Sequence, residues 1–486
     1  MTEPMNTLII MSDEHTRRMT GCYGHPLVQS PNIDGLANRG VKFQNAYCNN
    51  PICVPSRANF ITGRYTHETG NWDNAHPYIG EEASSFGHSL ISAGHQVTSI
   101  GKLHYRKVED DIGIQDMRLP MNVLNGQGDY FGSMRWNIQP HSNTSLNIHN
   151  SGPGETEYIR YDRAVANEAV NWLRREARQQ NKPWLLFVSL VTPHFPFVVP
   201  EEYMNLYPLD SIDLPLQWNK QLRQSHPYWS YVQPLRTPEE FSEEDVRRTV
   251  AAYYGLITFM DEQIGLVLDA LEQSGQSDRT RILYTSDHGE MAGGYGLWGK
   301  SCMYEDSVGI PMITAGPDIP SGETSYTNVS MVDLYPSVLD GLGVPLNSED
   351  HNLPGQSIWP IAKRETNPKR MIFSEYHASG SPTGNFMIRD DRFKLIYFAD
   401  QEYPSQLFDL IADPLEQHDL ATNRVHKFTL RKLERALRTV CNPESVNRAA
   451  FNAQHELIEA RGGEDKVLSE GRKVNWTRPP GEFTTD

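Results

Sequence analysis

The chain has 486 residues, and its 44 Lys and Arg residues are outnumbered by 61 Asp and Glu residues, for a formal charge of −17. This length, roughly three times the ~150 residues of an average domain, predicts one large domain with a smaller companion. With 38% hydrophobic and 22% charged residues, the composition excludes a disordered, collagenous or coiled-coil chain.

The negative charge disfavours binding to nucleic acid and to anionic membranes, so neither is an expected partner. No stretch has the ~18 apolar residues of a membrane span, and residues 1–12 lack the pattern of a signal peptide. We therefore expect a cytoplasmic protein. Its five cysteines are odd in number and lack CxxC spacing, which argues against a disulfide framework and a zinc cluster.

Four short apolar runs each end in polar residues, as buried parallel strands do at the sheet edge where ligands bind. The runs are residues 7–11, 97–100, 185–191 and 282–285, and the polar residues that follow them are Asp13 and Glu14, Lys102, His194, and Asp287 and His288. The pattern predicts four strands of one sheet whose ends deliver chemically active side chains.

A long helix is predicted where apolar residues from Val250 to Leu271 recur at helical spacing before Gly275. Strands that alternate with such helices indicate a parallel sheet. Residues 203–240 carry many Pro, Trp, Tyr and His residues without periodicity, and we interpret them as an insertion over one face of the domain.

After Pro368 the pattern changes to short alternating runs, at residues 371–376, 386–389 and 393–398, which predict a small antiparallel sheet. A basic helix is expected near residues 427–439. The polar tail has little apolar surface to join a core, so it is either disordered or an arm on another subunit.

The expected fold is therefore α/β, with a large, mostly parallel sheet between helices and a small antiparallel sheet. We divide the chain into a catalytic domain at residues 1–368, a smaller α+β subdomain at 369–461 and a C-terminal arm at 462–486 with a role in oligomerisation.

The most specific motif is CVPSR at residues 53–57, followed by TGR at 62–64. Because Pro55 disfavours a helix interior, the motif predicts that Cys53 lies at the mouth of a helix starting near Ser56, a position that favours anions. A single cysteine taken alone is more often a buried structural residue.

Asp13, Asp287 and His288 follow two of the predicted strands, and two carboxylates beside an imidazole form a suitable site for a divalent cation. An isolated Asp-His pair is more often a helix cap or a surface feature. Calcium fits an irregular, oxygen-rich site better than magnesium, and the imidazole would also suit manganese.

These motifs resemble those of the formylglycine-dependent type I sulfatases of the alkaline phosphatase superfamily, whose signature is CxPSR followed by TGR. Six further segments occur in the family's order: GCYG at 21–24, SPNID at 30–34, GKLH at 101–104, PHFP at 193–196, DHGE at 287–290 and LFDL at 407–410. The resemblance implies a central mixed sheet between helices plus a small C-terminal sheet. The tail resembles the arms of bacterial choline-sulfatase-like and phosphonate-monoester-hydrolase-like members, which implies a homo-oligomer.

The resemblance also implies a nucleophile and a metal site. A maturation enzyme would oxidise Cys53 to formylglycine, whose hydrated aldehyde attacks the ester. Asp13, Asp287 and His288 would bind the cation, while Glu14 stands where many members have a second Asp, so that its role as a ligand stays open.

Five basic residues receive roles by the same resemblance. Arg57 and Lys102 would orient and stabilise the formylglycine hydrate, and His104 would accept the proton that lets the sulfated hydrate collapse. His194 and Lys300 would face the ester oxygens and the leaving alcohol. Taken alone, each of these residues would be a solvated surface residue.

The resulting hypothesis is a sulfatase that hydrolyses a small sulfate monoester through a covalent sulfo-enzyme intermediate. One alternative is a phosphonate monoester or phosphodiester hydrolase of the same superfamily, and Ser56 favours the sulfatase. Another is a noncatalytic binder with an unmodified Cys53, against which the complete set of basic residues argues.

Residues that select the substrate are harder to recognise. Residues 71–74, Trp136, His226, Tyr228 and Trp229 lie in unpatterned segments and could wall a pocket. Because aromatic residues of this kind are more often core or loop anchors, we favour that structural role for them.

Overall fold

A large mixed sheet and a separate small one organise the chain, in a computed structural model that describes residues 3–140, 142–223, 225–237, 240–364, 366–471 and 477–483. The large sheet has eight strands and is mostly parallel, and the small sheet has four antiparallel strands. The predicted fold class is therefore confirmed. No helix in the described part of the chain is long and apolar enough to cross a bilayer.

The strands, in chain order, are β1 (Asn6–Asp13), β2 (Gly40–Phe43), β3 (Ala46–Tyr47), β4 (Val97–Lys102), β5 (Asp116–Met121), β6 (Gly152–Pro153), β7 (Leu185–Pro193), β8 (Val198–Val199), β9 (Thr280–Ser286), β10 (Met312–Ala315), β11 (Glu323–Ser325), β12 (Val329–Ser330), β13 (Ile372–Tyr376), β14 (Asn385–Arg389), β15 (Phe393–Phe398) and β16 (Gln406–Asp409). The large sheet has the order β11-β2-β10-β9-β1-β7-β4-β5, and β10 runs antiparallel to both neighbours. The four strands predicted to end in polar residues are β1, β4, β7 and β9. Because they are adjacent and parallel, their carboxyl ends meet at one place.

The helices are α1 (Pro31–Asn38), α2 (Cys53–Thr62), α3 (Thr66–Thr69), α4 (Phe86–Ser92), α5 (Tyr130–Ser133), α6 (Ser142–His149), α7 (Glu157–Arg175), α8 (Glu201–Met204), α9 (Pro227–Arg236), α10 (Glu243–Gln273), α11 (Glu305–Val308), α12 (Leu334–Leu342), α13 (Ile358–Ala362), α14 (Lys427–Val440), α15 (Pro443–Ala460) and α16 (Glu464–Glu470). The predicted long helix is α10, and Ser242 caps it by accepting from the backbone N–H of Asp245. The predicted basic helix is α14.

Helices cover both faces of the large sheet because successive side chains of a strand point to opposite faces. Leu8 and Ile10 of β1 are buried with α7 and α10, whereas Ile9 and Met11 are buried on the other face with α2 and α12. A strand buried on both faces has no polar alternation, which explains the continuous apolar run in the sequence.

The insertion at residues 203–240 contains the short helix α9, which packs against the small subdomain. Tyr228 donates to Ser381 at 3.0 Å, and the ring of Trp229 stacks on Tyr304 with centroids 5.3 Å apart. These aromatic residues therefore anchor the insertion.

The small sheet is covered by α14 through Leu433 and Leu437 and is tied to the large domain by buried charges. The ammonium of Lys394 lies 3.0 Å from Glu305 and 2.5 Å from Glu416, and all three residues are buried. These buried contacts connect the small sheet with the large domain.

Candidate active site

Cys53 lies at the first residue of α2 and at the base of a cavity of about 350 Å³. The helix thus begins three residues before the predicted start near Ser56. Pro55 is tolerated because it occupies the first turn, where a backbone N–H has no partner within the helix. Burial, together with the negative charge of Asp13, raises the pKa of the Cys53 thiol to about 12.

Arg57, one turn further along α2, joins three of the strand ends. Its Nε donates to Oδ2 of Asp287 at 2.9 Å, and its Nη2 donates to Oδ2 of Asp13 at 3.2 Å. Its Nη1 donates to Oγ of Ser189 on β7 at 2.9 Å. This buried guanidinium therefore fixes α2, and with it Cys53, against the sheet.

Lys102, the last residue of β4, forms an ion pair of 2.6 Å with Oδ2 of Asp13. Burial opposes ionisation of Asp13, but Lys102, with His194 and Arg57, holds its pKa well below the ordinary value. Asp13 is thus a carboxylate at neutral pH, as a metal ligand must be.

The predicted metal-binding residues come together around Cys53. Asp13, Asp287 and His288 each offer a ligand atom, and these atoms and the Cys53 sulfur all lie within 4.8 Å of one another. Nε2 of His288 is 3.1 Å from Sγ of Cys53, while its Nδ1 is 3.1 Å from the carbonyl of Gly289. All four side chains are buried.

Glu14 contacts two basic residues of the cavity wall. Its Oε2 is 2.7 Å from Nζ of Lys300 and 3.2 Å from Nε2 of His194. Glu14 forms a second group of potential ligands with Asp13 and His194. Its Oε1 is buried and has no hydrogen-bond partner in the described ranges. Burial raises the pKa of Glu14 well above the ordinary value, although Lys300 opposes the shift.

The two predicted proton-transfer histidines, His104 and His194, also line the cavity. His104 follows β4 in the left-handed region, with φ of 59°, and its Nε2 lies 2.6 Å from Oγ1 of Thr477. Burial, with the charges of Lys102 and Arg57, holds the pKa of His104 well below its ordinary value. Burial and Lys300 do the same for His194, so both imidazoles are neutral at neutral pH.

Of the residues that the sequence suggested as pocket walls, some line the cavity and others do not. Asn74 lines the cavity, whereas Trp136, His226, Tyr228 and Trp229 are not among its lining residues. Trp136 stacks on a histidine of α15, as the structural alternative expects for a loop anchor. Among the lining residues that the sequence did not single out are Tyr158, Arg236, Trp298, Arg461 and Thr477.

Comparison with known proteins identifies the family of the chain. The family model described as "Sulfatase" matches residues 5–344, and the one described as "N-sulphoglucosamine sulphohydrolase, C-terminal" matches residues 293–442. The chain belongs to the sulfatase family. It is a sulfuric ester hydrolase, and the resemblance seen in its motifs is confirmed.

The relatives cover most of the chain. A choline-sulfatase of Rhizobium meliloti (strain 1021) is 31% identical over 444 residues, which are 86% of this chain and 82% of that protein. Arylsulfatase K of Homo sapiens is 30% identical over 479 residues, 93% of this chain and 85% of the relative. Among solved structures, a phosphonate monoester hydrolase of Agrobacterium radiobacter has a TM-score of 0.73 at 22% identity, covering 90% of this chain and 95% of that one. This last similarity concerns the fold alone.

Proposed function

We propose that this sulfatase hydrolyses a small sulfate monoester to an alcohol and inorganic sulfate with a nucleophile made from Cys53, namely formylglycine. The observation that carries the proposal is the position of Cys53, whose Sγ lies 3.1 Å from His288 and 3.8 Å from Asp13 beneath the cavity. A side chain at this position reaches both a substrate in the cavity and the carboxylates below it.

The residues around position 53 suit two successive steps. A hydrated formylglycine supplies one hydroxyl that bonds to sulfur as the alcohol leaves, and a second whose deprotonation lets sulfate depart and restores the aldehyde. Lys102 lines the same cavity and offers its charge to the sulfate oxygens. His104 is held as a neutral imidazole, the form that accepts a proton.

The leaving alcohol faces His194 and Lys300, which both line the cavity and share the same oxygen of Glu14. An alkoxide needs a proton as it departs, and the ammonium of Lys300 is the group that carries one, since His194 is neutral. A cavity of about 350 Å³ lies near the lower end of ligand sites, which favours a small ester.

The sulfatase family implies a divalent cation, and the residues of this chain fit one. Asp13, Asp287 and His288 would hold it, and the unpartnered Oε1 of Glu14 offers a further oxygen. The cation would hold and polarise the sulfate oxygens. Calcium is the proposed ion because carboxylate oxygens dominate the donor set, whereas manganese would favour the imidazole more strongly.

The test of this function is a comparison of rates on nitrophenyl esters of sulfate, a phosphonate and a phosphodiester. The sulfate ester should react fastest, and Cys53→Ala should lose at least ~10³-fold in kcat, since removal of a covalent nucleophile costs losses of this order or more. Cys441→Ala, outside the site, is the matched control. Faster turnover of the phosphonate would support the rival hydrolase, and binding without turnover would support the noncatalytic alternative.

The remaining proposals concern assembly and maturation. The partner in maturation is a formylglycine-generating enzyme, and the place of action is the cytoplasm. Residues 462–486 are proposed to support a homo-oligomer, which light scattering of a chain lacking them would test. Part of this arm, α16, packs on its own chain through Val467, Met134 and Ile458, and residues 472–476 and 484–486 lie outside the described ranges.

A further inference from the structure

The C-terminal segment (residues 477–483) lies along α7 and reaches the active site of its own chain. Tyr158 donates through its hydroxyl to the carbonyl of Thr477 at 2.6 Å. At the other end, Arg160 donates to the carbonyl of Phe483 at 3.2 Å, and the Phe483 ring packs edge-on against Tyr161 with centroids 5.5 Å apart. Both ends of the segment therefore contact one turn of α7.

This attachment brings the Thr477 side chain to His104. Oγ1 of Thr477 lies 2.6 Å from Nε2 of His104, and the imidazole is only 5% exposed. The other ring nitrogen, Nδ1, is buried and has no hydrogen-bond partner within the described ranges. The hydrogen bond to the segment is thus the contact that orients this ring.

A neutral imidazole has one N–H and one free nitrogen, and the partner of one nitrogen decides which of them carries the proton. A buried polar atom without a partner calls for an explanation, and a catalytic role is one such explanation. His104 lines the cavity, and its buried, unpartnered Nδ1 is the ring nitrogen left to accept a proton from the reacting group.

We propose that Thr477 is a positioning residue for His104: its hydroxyl accepts from Nε2–H, fixes the ring and its tautomer, and leaves Nδ1 free to take the proton that releases sulfate. The proposal rests on the proposed function, in which His104 acts in the release step. Thr477 itself contacts neither the sulfur nor the leaving alcohol.

Because the reaction has two steps, loss of the Thr477 hydroxyl should change kcat and KM in a distinct way. A defect confined to sulfate release lowers kcat and KM together and leaves kcat/KM nearly unchanged, because kcat/KM reports only the steps up to sulfate transfer. A residue that instead bound the substrate would raise KM and lower kcat/KM. A merely structural residue would lower the amount of folded protein without this pattern.

The experiment compares Thr477→Val, which keeps the shape but removes the hydroxyl, with Thr477→Ser, which keeps the hydroxyl. The substrate is dinitrophenyl sulfate, whose good leaving group makes transfer fast and release limiting. Thr477→Val should lower kcat and KM together by about 10-fold, the loss typical of a residue that orients an active-site ligand, and Thr477→Ser should restore both. Unchanged kinetics in Thr477→Val, or a raised KM at unchanged kcat, would overturn the assignment.

A second readout does not depend on turnover. Carbethoxylation of His104 by diethyl pyrocarbonate, followed by peptide mass spectrometry, should be faster in Thr477→Val than in Thr477→Ser and the parent protein. Equal labelling in all three would contradict the proposed hydrogen bond. A parent protein that hydrolyses no sulfate ester would refute the proposed function instead, so the two failures are distinguishable.

The segment belongs to the same chain as the site, and this can be tested with full-length proteins. Thr477→Val carries an intact Cys53, and Cys53→Ala carries an intact Thr477. If the segment acts within its own chain, a refolded mixture of the two variants has no more than their summed activity. Recovery of parental activity in mixed oligomers would show that a partner subunit supplies the segment.

Discussion

The ammonium of Lys300 lies 2.7 Å from Oε2 of Glu14, although 286 residues separate them in the chain. The same oxygen is 3.2 Å from His194. Glu14 also neighbours Asp13 at the candidate metal site. A single carboxylate therefore connects the residues that face the leaving alcohol with those that would bind the cation, and substitutions on the two sides should have separable effects.

Substitution of the metal-binding carboxylates should lower the metal content. Asp13→Asn and Asp287→Asn should bind the cation at least ~100-fold more weakly, since each removes a charged ligand rather than an outer partner. Glu14→Gln should lose less, because one Glu14 oxygen is already engaged by Lys300. Metal analysis after dialysis measures the loss, with the exposed Asp269→Asn as control. A chelator-treated protein that hydrolyses its ester normally would contradict the site.

Proton donation to the leaving group should depend on the substrate. Lys300→Ala should slow alkyl sulfates by about 10²-fold or more and nitrophenyl sulfate much less, because nitrophenolate departs without a proton. His194→Ala should slow both substrates, since the neutral His194 acts only by hydrogen bonding. Arg57→Ala should slow both substrates alike, since Arg57 fixes the helix of Cys53. The comparison holds where sulfur transfer limits the rate. Equal losses on both substrates for Lys300→Ala would show that Lys300 is not the acid.

A buried carboxylate should make stability depend on pH. Asp162 accepts from the backbone N–H groups of Val191 and Thr192, near the end of β7, and burial raises its pKa from 3.8 to about 6. The folded protein then holds this proton more tightly than the unfolded chain, so the stabilising contribution falls as pH rises between these values. Relative to Asp162→Asn, the free energy of unfolding should fall by about 1 kcal/mol between pH 5 and pH 7.5.

Urea unfolding of the parent and Asp162→Asn at the two pH values measures this difference, and Asp269→Asn again serves as the exposed control. If the free energy of unfolding of the parent relative to Asp162→Asn stays constant or grows with pH, Asp162 does not titrate as described.

Substitution of the buried Lys394, which lies between the large domain and the small sheet, should destabilise the protein. Lys394→Met removes the cation that lies against Glu305 and Glu416 and leaves carboxylates buried without it. The loss should be about 3 to 5 kcal/mol, the usual cost of breaking a buried pair from one side. Adding Glu416→Gln should recover part of it, because Glu305 keeps its ion pair with Arg17. If the two losses simply add in urea unfolding, the charges are not coupled.

The site residues at the strand ends could be predicted from the sequence, because parallel strands bring the polar residues that follow them to one edge of the sheet. Asp13, Lys102, His194 and Asp287 each follow an apolar run that could be recognised without knowledge of the partners. The start of α2 was misplaced because a proline in the first turn breaks no hydrogen bond.

Contacts made by irregular segments could not be predicted. Thr477 lies in a polar stretch without periodicity, and its approach to His104 depends on how Tyr158 holds the chain end. The helices α15 and α16 were also missed, since their buried positions are few and pack against segments distant in the chain. Such positions follow from tertiary packing rather than from local pattern.

Mass spectrometry of the peptide that contains residue 53 tests most directly whether the active protein carries formylglycine at this position. The protein is produced with a formylglycine-generating enzyme, and activity on nitrophenyl sulfate is measured on the same sample. We expect the thiol sulfur to be replaced by an aldehyde oxygen, in a fraction that rises in parallel with activity. Full activity in a sample whose Cys53 is entirely unmodified would show that formylglycine is not the nucleophile.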